Sequence, residues 1–145
     1  MSSDRETAIP PLLRACWIKL NSTFQKRLSE LKITPDQYIV LRWLTERTSN
    51  STSQSVLARL MFTDANNISA LIKRMENHGL LNRYTSENDK RVKILRITER
   101  GKNKFKLGKE IATNLENQAL SGFSEKEKIE FNFLLGKLNE LLNPN

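Results

Sequence analysis

The stretch over residues 52–101 constrains the fold of this chain more than any other, because it reads as helix, turn, helix, strand, wing, strand. Val56, Leu57, Ala58 and Leu60 form a short apolar frame, and Ile68, Leu71, Ile72 and Met75 recur at helical spacing on the next segment. Ala58 is small and lies ten residues before Ile68, so two short helices can cross closely there. Asp64 is a good N-cap and Gly79 stands where helices commonly end in a left-handed residue, which predicts a helix over 65–78. Two β-capable runs follow, 80–85 and 92–97, around the polar tip Ser86-Glu87-Asn88-Asp89-Lys90-Arg91. A hairpin placed directly after such a helix is a wing.

The outward face of the second helix carries Asn66, Asn67, Ser69, Ala70, Lys73 and Arg74, with no acid before Glu76. Asn, Ser, Lys and Arg side chains can hydrogen-bond base edges or phosphates in a major groove. Charge points the same way. The chain has 24 basic and 16 acidic residues, a net +8, and residues 59–106 alone hold 12 basic against 5 acidic, a surplus of seven. A basic excess gathered on one module suits an anionic partner, of which nucleic acid is the commonest, as well as it suits a solvated face on a basic protein, and the winged hairpin tips the balance toward nucleic acid.

At 145 residues the chain is expected to form a single domain, 1–145. No apolar run reaches signal-peptide or membrane-spanning length, and the single cysteine fits a reducing compartment, so a cytoplasmic location is expected. Pro10 and Pro11 suit the start of a helix whose stripe Leu13, Trp17, Leu20, Phe24, Leu28 and Leu31 needs cover from distant helices or a second subunit. Thr34 and Gln37 form a capping box around Pro35 and launch a helix through Glu46. Residues 48–53, rich in Ser, Thr and Asn, read as a loop. Thr98 caps a further helix carrying Phe105, Ile111, Leu115 and Ala119, interrupted by Gly108; Ser121-Gly122 ends it. Ser124 and Glu127 then cap a last helix with Ile129, Phe131, Leu134, Leu135, Leu138, Leu141 and Leu142, apolar on more than one side.

Asp89-Lys90-Arg91 followed by Leu95, Ile97-Thr98 and Gly101 resembles the wing signature of the MarR family, D-x-R leading into a strand ending L-T-x-x-G. The stretch 58–81 is similar to that family's helix-turn-helix, and Thr34-Pro35-Asp36-Gln37-Tyr38 resembles its L-T-x-x-Q-[FY] motif. The likeness covers nearly the whole chain. It implies a mainly α fold with a small β-wing: a winged helix-turn-helix core over 34–100, flanked by N- and C-terminal dimerisation helices over 9–31 and 101–142. Leu13, Trp17, Leu20, Phe24, Leu134, Leu138 and Leu141 would then line a homodimer interface. It also implies that Arg91 enters the minor groove while Asp89 orients it; the bland alternative is an exposed surface pair of little energy.

Lys73, Arg74, Arg83, Lys90 and Lys93 are the phosphate candidates, with Arg74 also able to pair with wing or linker acids. The chain departs from the family at Asn66-Asn67, where Ser-Thr is common, and at Ala70, where arginine is. Asparagine can pair with adenine N6 and N7, and alanine can touch only a thymine methyl, which favours A·T-rich half-sites. Both asparagines lie in the first helical turn, so satisfying backbone N–H groups is an equal alternative. Phe62 stands in the turn where glycine is frequent, which asks for a conformation open to an L-residue.

With one histidine, one cysteine and no phosphate loop or metal-binding pattern, neither a triad nor a metal site can be assembled within a subunit, so no enzyme activity, metal or cofactor is expected. His78 is accounted for by the helix dipole. The expected function is a sequence-specific double-stranded DNA-binding regulator, a homodimeric repressor on a pseudo-palindromic operator, with a small-molecule effector as a candidate partner. The alternatives are a redox response through Cys16, for which buried packing beside the apolar stripe of helix one is the competing expectation, and a winged-helix module for protein or RNA.

Overall fold

The computed structural model describes residues 8–47 and 52–143. Among the described residues, six α-helices and one small sheet follow in the order α1 (Ile9–Leu28), α2 (Pro35–Glu46), β1 (Thr52–Ser53), α3 (Gln54–Leu60), α4 (Ala65–Asn77), β2 (Leu81–Thr85), β3 (Lys93–Ile97), α5 (Glu99–Ala119) and α6 (Glu125–Leu141), with a 3₁₀ turn at Ser29–Leu31. This is the mainly α, winged helix-turn-helix architecture that the sequence pattern predicts. The chain divides within α5 into two compact units, one up to Ile111 and one from Ala112 onward.

Local chemistry explains most element boundaries in the first unit. Proline occupies the first turn of α1, where a missing N–H costs little. Thr34 accepts from the Gln37 backbone N–H at 3.2 Å while the Gln37 side chain accepts from Thr34 N–H at 3.1 Å, which starts α2. Ser53 and Asp64 cap α3 and α4 by the first half of this pattern alone, their side chains accepting from the Val56 and Asn67 backbone N–H groups. The end of α4 falls at Gly79, with φ +72°.

The sheet is antiparallel in the order β1-β3-β2. Thr52 and Ser53, expected to end a loop, instead add a short strand beside Leu95 and Ile94. The rest of that predicted loop, residues 48–51, lies outside the described residues. Two ladder pairs leave no sequence signature, because the hydrogen bonds that define the strand come from a segment some forty residues further on.

Leu28, Val40, Leu41, Leu57, Ile68, Ile72, Met75, Leu80, Leu81 and Leu95 are almost fully buried in this unit. Each such side chain contributes roughly 1.5–3 kcal/mol of transfer free energy. α3 packs on α4, and Ala58, 8% exposed, and Ile68, 1% exposed, are both buried. The Tyr38 ring lies between Phe24, edge-on at 5.2 Å, and Phe105, stacked at 5.7 Å. Gly108 does not interrupt α5, contrary to expectation. It is buried, and a Cβ there would stand 2.9 Å from Tyr38 Cδ2, so glycine is the residue that admits the ring.

In α1 the apolar stripe has two fates. Leu28 is fully buried and Phe24 half-buried, whereas Leu13, Trp17 and Leu20 are exposed in the chain. Cys16 is exposed as well, which corrects the expectation that it packs. The second unit holds the end of α5, the break at Ser121-Gly122 and α6, started by the predicted Ser124–Glu127 capping box. Two hydrogen bonds from Ser124 hold the Glu127 carboxyl below the usual carboxylate range. Phe123 meets Phe131 edge-on at 5.7 Å. No residue of α6 is buried within the chain, and Ile129, Phe133, Leu134 and Leu141 are more than half exposed.

Candidate nucleic-acid interface

Helix α4 is amphipathic, and its packing fixes what faces outward. Ile68, Ile72 and Met75 anchor one side in the core, which leaves Asn66, Asn67, Ala70, Lys73 and Arg74 exposed and Ser69 half-buried. The helix begins at Asp64, whose carboxylate accepts from the Asn67 backbone N–H at 2.7 Å. The Asn67 side-chain amide donates to the other oxygen of the same carboxylate at 3.2 Å. Of the two asparagines, Asn67 is therefore engaged with the cap. Asn66 is exposed.

Phe62, in the turn between α3 and α4, adopts φ +52°, the left-handed region that glycine favours. The turn thus keeps the conformation usual for glycine and carries its ring 68% exposed. The backbone closes it through Thr63 N–H donating to the Ala58 carbonyl at 3.0 Å. Beside this turn is a cleft of about 470 Å³, lined among others by Asp36, Phe62, Asn67, Ala70 and Arg74. Arg74 faces this cleft and forms no ion pair with a wing acid among the described residues.

The wing tip is ordered by its own side chains. Arg91 donates to Asp89 three times: through its backbone N–H at 3.0 Å, its Nε at 3.1 Å and its Nη2 at 3.2 Å. The Arg91 side chain is 90% exposed, so this is a surface pair that orients a guanidinium without burying it. Arg91's side chain first, and its backbone N–H second, hold the Asp89 carboxyl below the ordinary aspartate range. A lowered carboxyl favours the charged, hydrogen-bonded form above the ordinary aspartate range, and the contact is lost only as pH falls below it. The amide resonance of Arg91 is accordingly expected to stay constant between about pH 8 and pH 5 and to move only in more acid solution. A transition near neutrality would show that another group controls the tip.

Lys90 and Lys93 are exposed on the same hairpin, and Lys93 Nζ donates to Thr85 Oγ1 at 2.8 Å across the strands. Arg96 lies 5.4 Å from the centre of the Tyr84 ring. Arg83, expected at a phosphate, is held within the protein: its Nη1 donates to Gln54 Oε1 at 3.3 Å and its Nη2 lies 3.8 Å from Glu76 Oε1. Sequence reasoning missed this arrangement. Its partners are 29 and 7 residues away and belong to other elements.

An acid-free helix face with an ordered, exposed cationic hairpin beside it, both in one winged helix-turn-helix unit, defines a DNA-binding regulator of transcription. The chain belongs to the SarA/Rot family of transcriptional regulators, whose family model matches residues 22–107, and its fold is that of the MarR-family regulators. Among its relatives is the uncharacterized HTH-type transcriptional regulator YybA of Bacillus subtilis, 28% identical over 121 residues, which are 83% of this chain and 79% of that protein. The solved structure of MarR superposes with a TM-score of 0.84 at 23% identity, covering 97% of this chain and 94% of the other. The S. aureus MepR–DNA complex gives 0.83 at 22%, covering 97% and 100%. PcaV from Streptomyces coelicolor, solved with its natural ligand, gives 0.85 at 19%, covering 99% of each chain. At these identities the structural likeness is one of fold. The family consists of regulators, not enzymes.

Proposed function

We propose that the protein is a homodimeric repressor that binds a pseudo-palindromic operator in cytoplasmic DNA, with α4 in the major groove and Arg91 in the adjacent minor groove. The observation that carries this reading is the half-exposed Asp89 carboxylate gripping a solvent-exposed Arg91 at the hairpin tip, where the pair has no core to stabilise. Lys90 and Lys93, exposed on the same hairpin, and Lys73, exposed on α4, suit phosphate contacts. MepR solved on DNA shares the fold, which supports a duplex partner. The exposed Leu13, Trp17 and Leu20 on α1 and Leu134 and Leu141 on α6 suit a dimer seam, and a dimer sets two half-sites about one helical turn apart. PcaV with its natural ligand supports release by a small-molecule effector.

Fluorescence anisotropy with footprinted duplex, scrambled duplex and RNA across a salt series tests this. Arg91→Ala is expected to weaken specific duplex binding by about 1 to 3 kcal/mol with the circular dichroism unchanged. Lys90→Ala should lower affinity for all sequences alike and make the salt dependence shallower by about one charge per subunit. Asn66→Ala is expected to alter the preferred base, whereas Asn67→Ala, which removes a partner of the α4 cap, should mainly reduce helix stability. Equal affinity for RNA and duplex, insensitive to Arg91→Ala, would remove the wing from the mechanism.

A further inference from the structure

Glu76 occupies the last turn of α4, where the negative end of the helix dipole disfavours a carboxylate. Its two oxygens have separate partners. One accepts from the Arg83 backbone N–H at 3.1 Å, and the other faces the Arg83 guanidinium at 3.8 Å. β2 is an edge strand of the sheet, so its outward N–H groups have no strand partner, and Glu76 satisfies one of them. The register pairs Arg83 with Leu95, which is buried, so the Arg83 side chain leaves the sheet on its core side and is only 22% exposed. There it also donates to Gln54, the first residue of α3. Three elements meet at this one side chain: the first helix of the helix-turn-helix, the recognition helix and the strand that leads to the wing tip.

We propose that Glu76, Arg83 and Gln54 form a positioning clamp that sets the wing at a fixed angle to α4, so that Arg91 and the helix face engage DNA together. This rests on the DNA-binding reading above and assigns Arg83 a role other than phosphate contact. A guanidinium already held by an acid and an amide brings little free charge to a phosphate backbone. What it supplies is rigidity. Two arms held in register bind as one unit, whereas a loose wing must be ordered again at each encounter.

The test is a mutant cycle in specific duplex binding, read by anisotropy over a salt series. Glu76→Ala and Arg83→Ala are each expected to lower affinity about tenfold, with the salt slope unchanged. Adding Arg91→Ala to Glu76→Ala should cost clearly less than it costs in the wild type, because a wing already out of register has less to lose. Glu76→Gln retains an acceptor for the Arg83 N–H and should recover part of the affinity. A salt slope shallower by about one charge per subunit in Arg83→Ala would make this residue a phosphate contact and overturn the clamp. Additive penalties in the double variant overturn it equally. If Glu76→Ala fails to fold, Arg83→Lys enters the same cycle, since lysine keeps the charge but not the two-partner fork. Arg91→Ala alone separates the two readings: no effect there removes both the wing and the clamp, while an effect that merely adds removes the clamp alone.

Discussion

A chain lacking residues 1–31 is expected to lose its cooperative fold and aggregate. The deletion takes away Leu28, which has no exposed surface, and Phe24, whose ring packs edge-on against Tyr38. Truncation of one buried leucine typically costs about 2–5 kcal/mol, against a total stability of about 5–15 kcal/mol for a domain of this size. Losing both side chains and the helix that carries them removes most of that margin. Sedimentation and circular dichroism report the result, and a well-behaved folded monomer would count against α1 as part of the architecture. The double substitution Trp17→Ala, Leu20→Ala separates the core from the proposed seam. Both residues are exposed in the chain, so the variant should remain folded by circular dichroism while sedimenting as a monomer.

The second large effect is expected at Gly101. A methyl group there would overlap the Leu80 carbonyl oxygen, a backbone atom that no rotamer change can move aside, and would come within 2.8 Å of the Ile97 side chain at Cγ1. The same point is tied by Thr98, whose hydroxyl donates to the Gly79 carbonyl at 2.6 Å and accepts from the Gly101 N–H at 3.0 Å. Any shift of α5 that made room would stretch this link to the end of α4. Gly101→Ala should therefore destabilise the protein by at least about 2 kcal/mol in denaturant unfolding. Gly122, around which no atom lies within 4 Å of the added carbon, is the control. Equal stability of the two alanine variants would mean that α5 does not need this close approach.

The motif-level outline is local, and the sequence by itself determined it. Asp64, Gly79, Thr34 with Gln37, and Ser124 with Glu127 act on backbone groups within a few residues of themselves, so capping chemistry placed the starts of α2, α4 and α6 and the end of α4 where the structure has them. The two β-capable runs on either side of the polar tip Ser86–Arg91 made the wing legible for the same reason, and the Asp89–Arg91 pair that the resemblance implied is equally short-range. Tertiary structure decided whatever depends on partners remote in the chain. β1 exists only because Leu95 and Ile94 offer it a ladder. Gly108 is a seat for Tyr38 seventy residues away and not a helix breaker. Arg83 turned inward because Glu76 and Gln54 converge on it, and the exposure of Cys16 follows from how much of α1 the rest of the chain leaves uncovered. A sequence carries the capping and periodicity of each segment, but burial and pairing are properties of the packed whole, where a side chain's partner is set by the crossing of elements and not by its neighbours in the chain.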